Sequence, residues 1–597
     1  MAYLLLLFLP GITAIELFKL GKNLSFAERL AFAFGLSMAI DAFLLLIRTS
    51  QLPVPEIYLG GIWSGTVYAI LSISIIVMAI LITIRRKFDF YTKITRIDLI
   101  IILITLIQSA LVYIHFSKYP VFPQYQSIDF EQHVRIARDI QLGYASPLQS
   151  GVLYYGVHLL MSPLIALTNN EPLIITQHSI GILAALSPLL VYSSVSAMTD
   201  SKRTGIIATL LYVGSGFIWF GNVFNVGLYS NFYGLLAILF TIISISLILR
   251  DPRNLWNWLV YALAMINGYF SHFTFLTILP VLLLLPLIEF IKSRSIDKVL
   301  VRIAIIAIIP ALASTILRPN LITIVLGFLS SQGGGSISGD TALSQLFTGI
   351  PVIRFTIIEI TNDVATLMIF LMTLIGIYSI VRQRKIFLWI PIIWVAAVFI
   401  AAPYSEAAWR FSYVALAPIT IIASIGINTL LSENKPISKK KRFLRGGSSF
   451  PHSGRVIIIA VILLLIIFDS WSYKLMADAT TYNQEFNQAQ YSVYEAIQWI
   501  SQNTPAGSKV LSVTDWRFIY LDSLAHRNGI YAPLITPDAA LQFFKGQKNA
   551  YIALTRLATL EIPPESSENP FNTYPNDPRF QLVYNNSNVN VYEVLNP

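Results

Sequence analysis

Apolar residues in this chain gather in long unbroken runs rather than in alternating stripes. LLLLFLPGITAIELF, IIILITLIQSALVYIHF and VIIIAVILLLIIF are three examples. A helix of about twenty apolar residues crosses a hydrocarbon core about 30 Å thick. Barrel strands would alternate polar and apolar positions, so the pattern predicts helices. It yields about 14 spanning helices. Their approximate positions are 2–18, 29–48, 60–84, 97–116, 174–198, 205–222, 233–250, 255–270, 273–291, 298–317, 361–381, 386–403, 409–431 and 455–471. The first is followed so closely by others that it reads as a span rather than a cleaved signal peptide.

Basic residues cluster between these runs. The clusters are Arg85, Arg86, Lys87, Lys93 and Arg96; Lys202 and Arg203; Arg250 and Arg253; Lys292, Arg294 and Lys298; Arg382, Arg384 and Lys385; and Lys439, Lys440, Lys441, Arg442 and Arg445. Threading the spans puts all of them on one side, which the positive-inside rule makes the cytoplasm. Both termini then lie outside. Segment 152–168 is apolar enough to cross, yet a crossing there would invert every later basic loop. It is therefore expected along the outer interface, with Tyr154, Tyr155 and His158 at headgroup level.

This divides the chain into a membrane domain, 1–471, and an extracytoplasmic tail, 472–597. The outer loops 117–173 and 318–360 are long, and the second holds the glycine- and serine-rich SSQGGGSISGD. Long loops of this kind are functional or disordered. The tail carries a helical stretch, YSVYEAIQWISQN, a short strand, KVLSV, and a hairpin, FQLVYNNSNVNVYEV, turning at Asn586–Ser587. That pattern predicts a small α/β domain.

Composition supports the membrane reading. The 597-residue chain is 55% hydrophobic and only 12% charged, against about 25% charged in soluble domains. It has no cysteine, which excludes disulfide and thiolate chemistry. The net charge of +10 fits basic cytoplasmic loops better than nucleic-acid binding. No P-loop, dinucleotide fingerprint or zinc-protease helix is present.

Candidate chemistry concentrates in the first outer loop, in QSIDFEQHVRIARDIQLG. Asp129, Glu131 and His133 sit together where an amphipathic helix begins. Asp129 with Gln132 reads as a capping box, with Asp at the N-cap and Gln at the third helical position. The same carboxylate can serve as a general base or a cation ligand at the membrane surface. Both readings stand on the sequence. As a metal cluster the three are weak, because positions i, i+2 and i+4 do not share one helix face. His272 lies between two spans, and Glu406 and Arg410 lie at the outer start of another. Arg410 either snorkels to headgroups or grips a phosphate. Arg318, Asp340, Arg354 and Glu359 border the second outer loop and read as a solvated face. Trp516 and Arg517 in SVTDWRFIY read as packing residues of the tail.

Taken in order, these features resemble the GT-C superfamily of membrane glycosyltransferases. An acidic residue follows an early span and leads into a helix ending in glycine (IDFEQHVRIARDIQLG). An aromatic stretch, a span and a short basic turn come next (YYGVHLLMSPLIAL, then LSPLLVYSSVSAMTDSKRTGIIATLLY). A late span starts with arginine and aromatics and runs through proline (WRFSYVALAPITIIASIGI). An outer tail opens with AIQWISQNTPAGSKVLSV. The resemblance implies a GT-C-like fold and an inverting transfer from a polyprenyl-phosphate-linked sugar to a glycan, lipid or protein acceptor. It assigns the activating acid to Asp129, with Glu131 beside it, and the donor phosphate to Arg410 and His272. His133, Glu406 and His158 are further substrate or metal candidates. A divalent cation, Mg or Mn, assists some members. The tail has T-D-W where the oligosaccharyltransferase subunit carries W-W-D, so the resemblance is to the broad superfamily.

Two other classes compete. A transporter or flippase would place ionisable groups within its spans, as Asp41 and Glu16 are placed. A receptor or scaffold would use the tail alone. Two N-x-S/T sites occur, Asn23 and Asn585, and only Asn585 is outside in this threading.

Overall fold

The computed structural model describes residues 2–50, 60–85, 94–118, 121–122, 128–142, 156–168, 172–214, 229–317, 364–383, 385–401, 408–432, 484–525, 527–532, 535–556 and 569–595. The apolar runs fold as helices: α1 (Ala2–Phe18), α2 (Phe26–Ser50), α3 (Gly60–Arg85) and α4 (Arg96–Lys118) come first. The long loop after α4 contributes α5 (Ile128–Leu142) and α6 (Gly156–Thr168). Then follow α7 (Pro172–Thr199), α8 (Lys202–Gly214), α9 (Tyr229–Arg250), α10 (Leu255–Ser271), α11 (Ile278–Ser293) and α12 (Lys298–Leu317). After the second outer loop come α13 (Val364–Gln383), α14 (Ile390–Ala401) and α15 (Ala408–Ser432). Six of the described helices are long and apolar enough to cross a membrane, and four shorter ones are apolar. The protein is thus a multi-pass helical membrane protein. The expected span 455–471 and the loop 318–360 lie outside the described residues.

Three turns that carry basic residues meet through Asp200. Asp200, in the turn after α7, lies 3.9 Å from Arg250 and 3.5 Å from Lys385. Three inter-helix turns therefore share one end of the bundle. At α4 the Asp98 carboxylate accepts from the Thr95 amide at 2.8 Å and the Ala27 amide at 3.0 Å. It caps α4 and fastens the start of α2 to it.

Of segment 152–168 the structure describes 156–168. Val157, His158, Leu159, Leu160, Met161, Ser162, Leu164 and Ile165 are all buried. The helix α6 packs against α2, α3, α5 and α9. Hydropathy reports only that a segment avoids water; it does not say whether protein or lipid surrounds it.

Glycine sets the crossing of α13 and α15. A Cβ at Gly376 on α13 would fall 2.0 Å from the Ile422 carbonyl oxygen of α15. One at Gly426 on α15 would fall 2.1 Å from the Met372 oxygen of α13. Such reciprocal small positions let two backbones touch where no hydrophobic effect drives helices together.

The tail is an α/β unit, as the sequence pattern indicated. Its helix α16 (Gln484–Asn503) buries Val493, Ala496, Ile497 and Ile500, one stripe at helical spacing. The sheet has order β2-β1-β3-β5-β4. Its strands are β1 (Lys509–Ser512), β2 (Asn528–Tyr531), β3 (Ala550–Thr555), β4 (Phe580–Asn585) and β5 (Val589–Val594). β2, β1 and β3 run parallel, whereas β5 and β4 form an antiparallel hairpin. The hairpin turns at Asn586, whose side-chain oxygen accepts from the Val589 amide at 2.8 Å. Its side-chain nitrogen donates to the Ser492 carbonyl at 2.9 Å and ties the hairpin to α16. The tail's α16 and first strand share a continuous apolar core with the membrane helices.

Candidate active site

Helix α5 organises the site. Phe130, Val134, Ala137 and Ile140 are buried at helical spacing and seat it against the bundle. Its described part begins at Ile128, with Asp129 the second described residue. A carboxylate in the first turn still benefits from the helix dipole. The Asp129 side chain lies outside the described atoms. Glu131 is buried.

His133, one turn after Asp129, is buried and meets buried His158 of α6, with Nδ1 of the first 2.9 Å from Nε2 of the second. One of these nitrogens carries the proton and the other accepts it. The Tyr229 ring, at the start of α9, stacks on His133 with centroids 5.3 Å apart. Tyr229 also meets Phe130 edge-on at 5.4 Å.

The tail reaches the same place. Tyr520 closes a short 3-10 turn, Trp516–Tyr520, that begins after β1. Its ring lies 6.0 Å from Phe130 and 5.3 Å from Phe122, both in the first outer loop. The rings of Phe122, Tyr520, Phe130, Tyr229, His133 and His158 thus form a chain from the tail to α6. Each aromatic pair contributes about 0.5–1.5 kcal/mol beyond its buried area. Burial first, then the neighbouring Tyr229 and Glu131, hold the Tyr520 phenol well above its usual value.

Polar tethers flank the rings. The buried Phe122 amide donates to Gln490 Oε1 of α16 at 3.1 Å. Arg135 of α5 pairs with Asp522 of the tail at 3.0 Å. Burial opposes the Arg135 charge, but Glu131 and Asp522 outweigh it and raise the guanidinium above its usual value. Burial holds the Asp139 carboxyl above the ordinary range, and Asp522 adds to this against Arg135. Arg517, fully buried, bonds both oxygens of fully buried Asp515 and lies 5.9 Å over the Phe122 ring.

His272 is buried between α10 and a short 3-10 turn, and its Nδ1 accepts from the Thr274 amide at 3.1 Å. Its observed work is to cap that turn. Arg410 is the third residue of α15, with its side chain outside the described atoms. Glu406 lies outside the described residues, as do Arg318, Asp340, Arg354 and Glu359. Among the described residues no three His, Asp or Glu side chains converge as a metal site. Sequence reasoning missed Tyr229 and Tyr520. For Tyr520 the available signal was its place beside Trp516 and Arg517 in one aromatic run.

The fold has solved counterparts. The oligosaccharyltransferase of Archaeoglobus fulgidus in its apo form matches with a TM-score of 0.52 at 13% identity, covering 77% of this chain and 69% of that one. A structure of the Archaeoglobus fulgidus oligosaccharyltransferase AglB with an inhibitory peptide and a dolichol-phosphate matches with a TM-score of 0.48 at 13% identity, covering 76% and 69%. ArnT from Cupriavidus metallidurans, bound to undecaprenyl phosphate, matches with a TM-score of 0.44 at 12% identity, covering 83% and 97%. No protein-family model matches the chain, and no curated protein matches its sequence. At such identities the likeness establishes fold alone. The helical membrane fold that the resemblance implied is met at that level.

Proposed function

We propose that this chain is a membrane glycosyltransferase that moves a sugar from a polyprenyl-phosphate-linked donor to an acceptor outside the cytoplasm. The observation that carries the reading is the placement of α5. An acid-bearing helix follows an early span, is enclosed by bundle and tail alike, and does so within an oligosaccharyltransferase-like fold.

In this reading the acceptor hydroxyl or amide attacks the anomeric carbon. The bond from that carbon to the phosphate oxygen breaks, and polyprenyl phosphate leaves. Attack opposite the leaving group inverts the sugar. Asp129 takes the acceptor proton, and buried Glu131 is the second acid. Arg410, at the start of α15, offsets the charge gathering on the departing phosphate with its guanidinium fork. His133 and His158 hold α5 against α6 and are the nearest imidazoles to the acids along the helix. His272 remains a donor-phosphate candidate, and Glu406 a substrate or metal candidate. Asp129 is also the chain's first candidate ligand for a divalent cation. Because no three ligands converge among the described residues, no step is routed through a metal.

The test is transfer in proteoliposomes from radiolabelled polyprenyl-phosphate hexoses to the host's own membrane acceptors. Asp129→Asn abolishes transfer while the protein remains folded. Full activity in that variant removes the assignment.

One observation favours the transporter reading instead. Asp41 is completely buried in α2, and neither carboxylate oxygen has a hydrogen-bond partner among the described residues. Intramembrane carboxylates commonly mark transport pathways. Uptake of a lipid-linked sugar across the vesicle wall without a covalent product, lost in Asp41→Asn, would replace the enzyme reading.

A further inference from the structure

The tail is more than an outer appendage, because its Tyr520 ring is a structural part of the acid-bearing helix's seat. We propose that Tyr520 is a positioning residue: its ring, wedged between Phe122 and Phe130, sets the orientation of α5 and thereby the aim of the acids at its start. The proposal rests on the reading of Asp129 and Glu131 as the reacting acids.

Four observations converge on it. First, Tyr520 is fully buried although it belongs to the C-terminal α/β unit. Second, its two ring partners are first-loop residues, and Phe130 stands between Asp129 and Glu131 in sequence. A rotation of Phe130 about the helix axis therefore carries both acids with it. Third, the turn that presents Tyr520 is rigid. Asp515 Oδ1 caps it by accepting from the Arg517 amide at 3.0 Å and also binds the Arg517 side chain at 2.8 Å. Strand β2 runs so close that a Cβ at Gly529 would fall 2.0 Å from the Phe518 carbonyl oxygen. Fourth, Phe130 meets Tyr229 of the bundle edge-on as well as Tyr520 of the tail. The start of α5 thus lies between rings from two parts of the chain.

The physical consequence is specific. Near-attack geometry tolerates little error, and a shift of about 1 Å costs on the order of a hundredfold in rate. Loss of the ring should therefore lower turnover while donor binding, which involves α15, stays as it was. The hydroxyl is not the working part in this proposal, so phenylalanine should substitute.

The absence of cysteine in the natural chain gives a clean probe of α5. A spin label on Gln132→Cys, an exposed position on α5, reports the helix's mobility. Proteoliposomes carry the full-length chain, with polyprenyl-phosphate hexoses as donors and the host membrane fraction as acceptor. Tyr520→Ala is expected to lower kcat at least tenfold, leave the donor KM within twofold, and sharpen the label's spectrum. Tyr520→Phe is expected to restore at least half of kcat and the wild-type spectrum. Where Tyr520→Ala does not yield folded protein, Tyr520→Leu, which fills the space without a planar ring, takes its place with the same expectation. If Asp129→Asn is inactive but the alanine or leucine variant keeps kcat within twofold, the proposal is overturned and the functional reading stands. If phenylalanine fails as badly as alanine, the ring claim is overturned. If Asp129→Asn remains active, the functional reading itself falls.

Discussion

Replacing Gly376 by alanine tests whether the helix that carries Arg410 is set by backbone contact. The new Cβ would stand 2.0 Å from the Ile422 oxygen, whereas ordinary contact begins at 3.4 Å. The α13–α15 crossing must then open by 3.4 − 2.0 = 1.4 Å, or the helices must slide. No rotamer relieves the clash, because the obstructing atom is backbone. Overpacking of this kind costs about 1–3 kcal/mol. The opening would also strain two side-chain links across the same crossing. Ser379 and Thr429 hydroxyls lie 2.7 Å apart, and Thr373 Oγ1 lies 3.5 Å from the Ile419 oxygen. Gly181→Ala on α7 is the control. Its Cβ would meet the Phe116 ring at 2.9 Å, a side chain that can swing aside. The ten tryptophans allow thermal unfolding to be followed by intrinsic fluorescence in detergent. Gly376→Ala is expected to lower the midpoint clearly and Gly181→Ala to leave it near wild type. Transfer should fall about tenfold or more in the first and little in the second, because α15 moves as a rigid rod. Equal midpoints for the two variants would refute the argument.

Three further outcomes follow from the same geometry. Arg517→Ala leaves buried Asp515 without its ion-pair partner and should destabilise the tail by about 3–5 kcal/mol, read as a lowered unfolding midpoint; an unchanged midpoint contradicts the pairing. His158→Leu removes the hydrogen bond to His133 and should cost about 1–3 kcal/mol, with a smaller added loss when His133→Leu is combined with it. Additive effects would show that the two rings do not interact. The Arg579 hydrogen bond, outweighing burial, holds the Asp577 carboxyl below its usual value. Its folded value lies below its unfolded one, so the stabilisation is present above the ordinary carboxylate range and lost as pH falls through the folded value. The midpoint gap between wild type and Asp577→Asn should therefore close on acidification, and a gap that widens would contradict the sign.

Much of the architecture was legible because bilayer helices and hairpin turns are written locally. Span boundaries followed from unbroken apolar runs, and the Asn586 turn from a polar tip between alternating strands. The enclosure of α6 was not legible, because apolar residues facing protein and facing lipid look alike. The His133–His158 pair joins two helices that each looked independent. Tyr520 was invisible as a site residue because its partners lie hundreds of positions earlier in the chain, and only the folded tail brings them together. Asp129 and Arg410 entered through composition, position and family resemblance.

A structure of the wild-type chain with a polyprenyl phosphate bound measures the central claim most directly. The account predicts the phosphate at the outer end of the bundle, beside the start of α5 and within reach of Arg410 at the start of α15. A phosphate bound at the opposite end, among Asp200, Arg250 and Lys385, would contradict it.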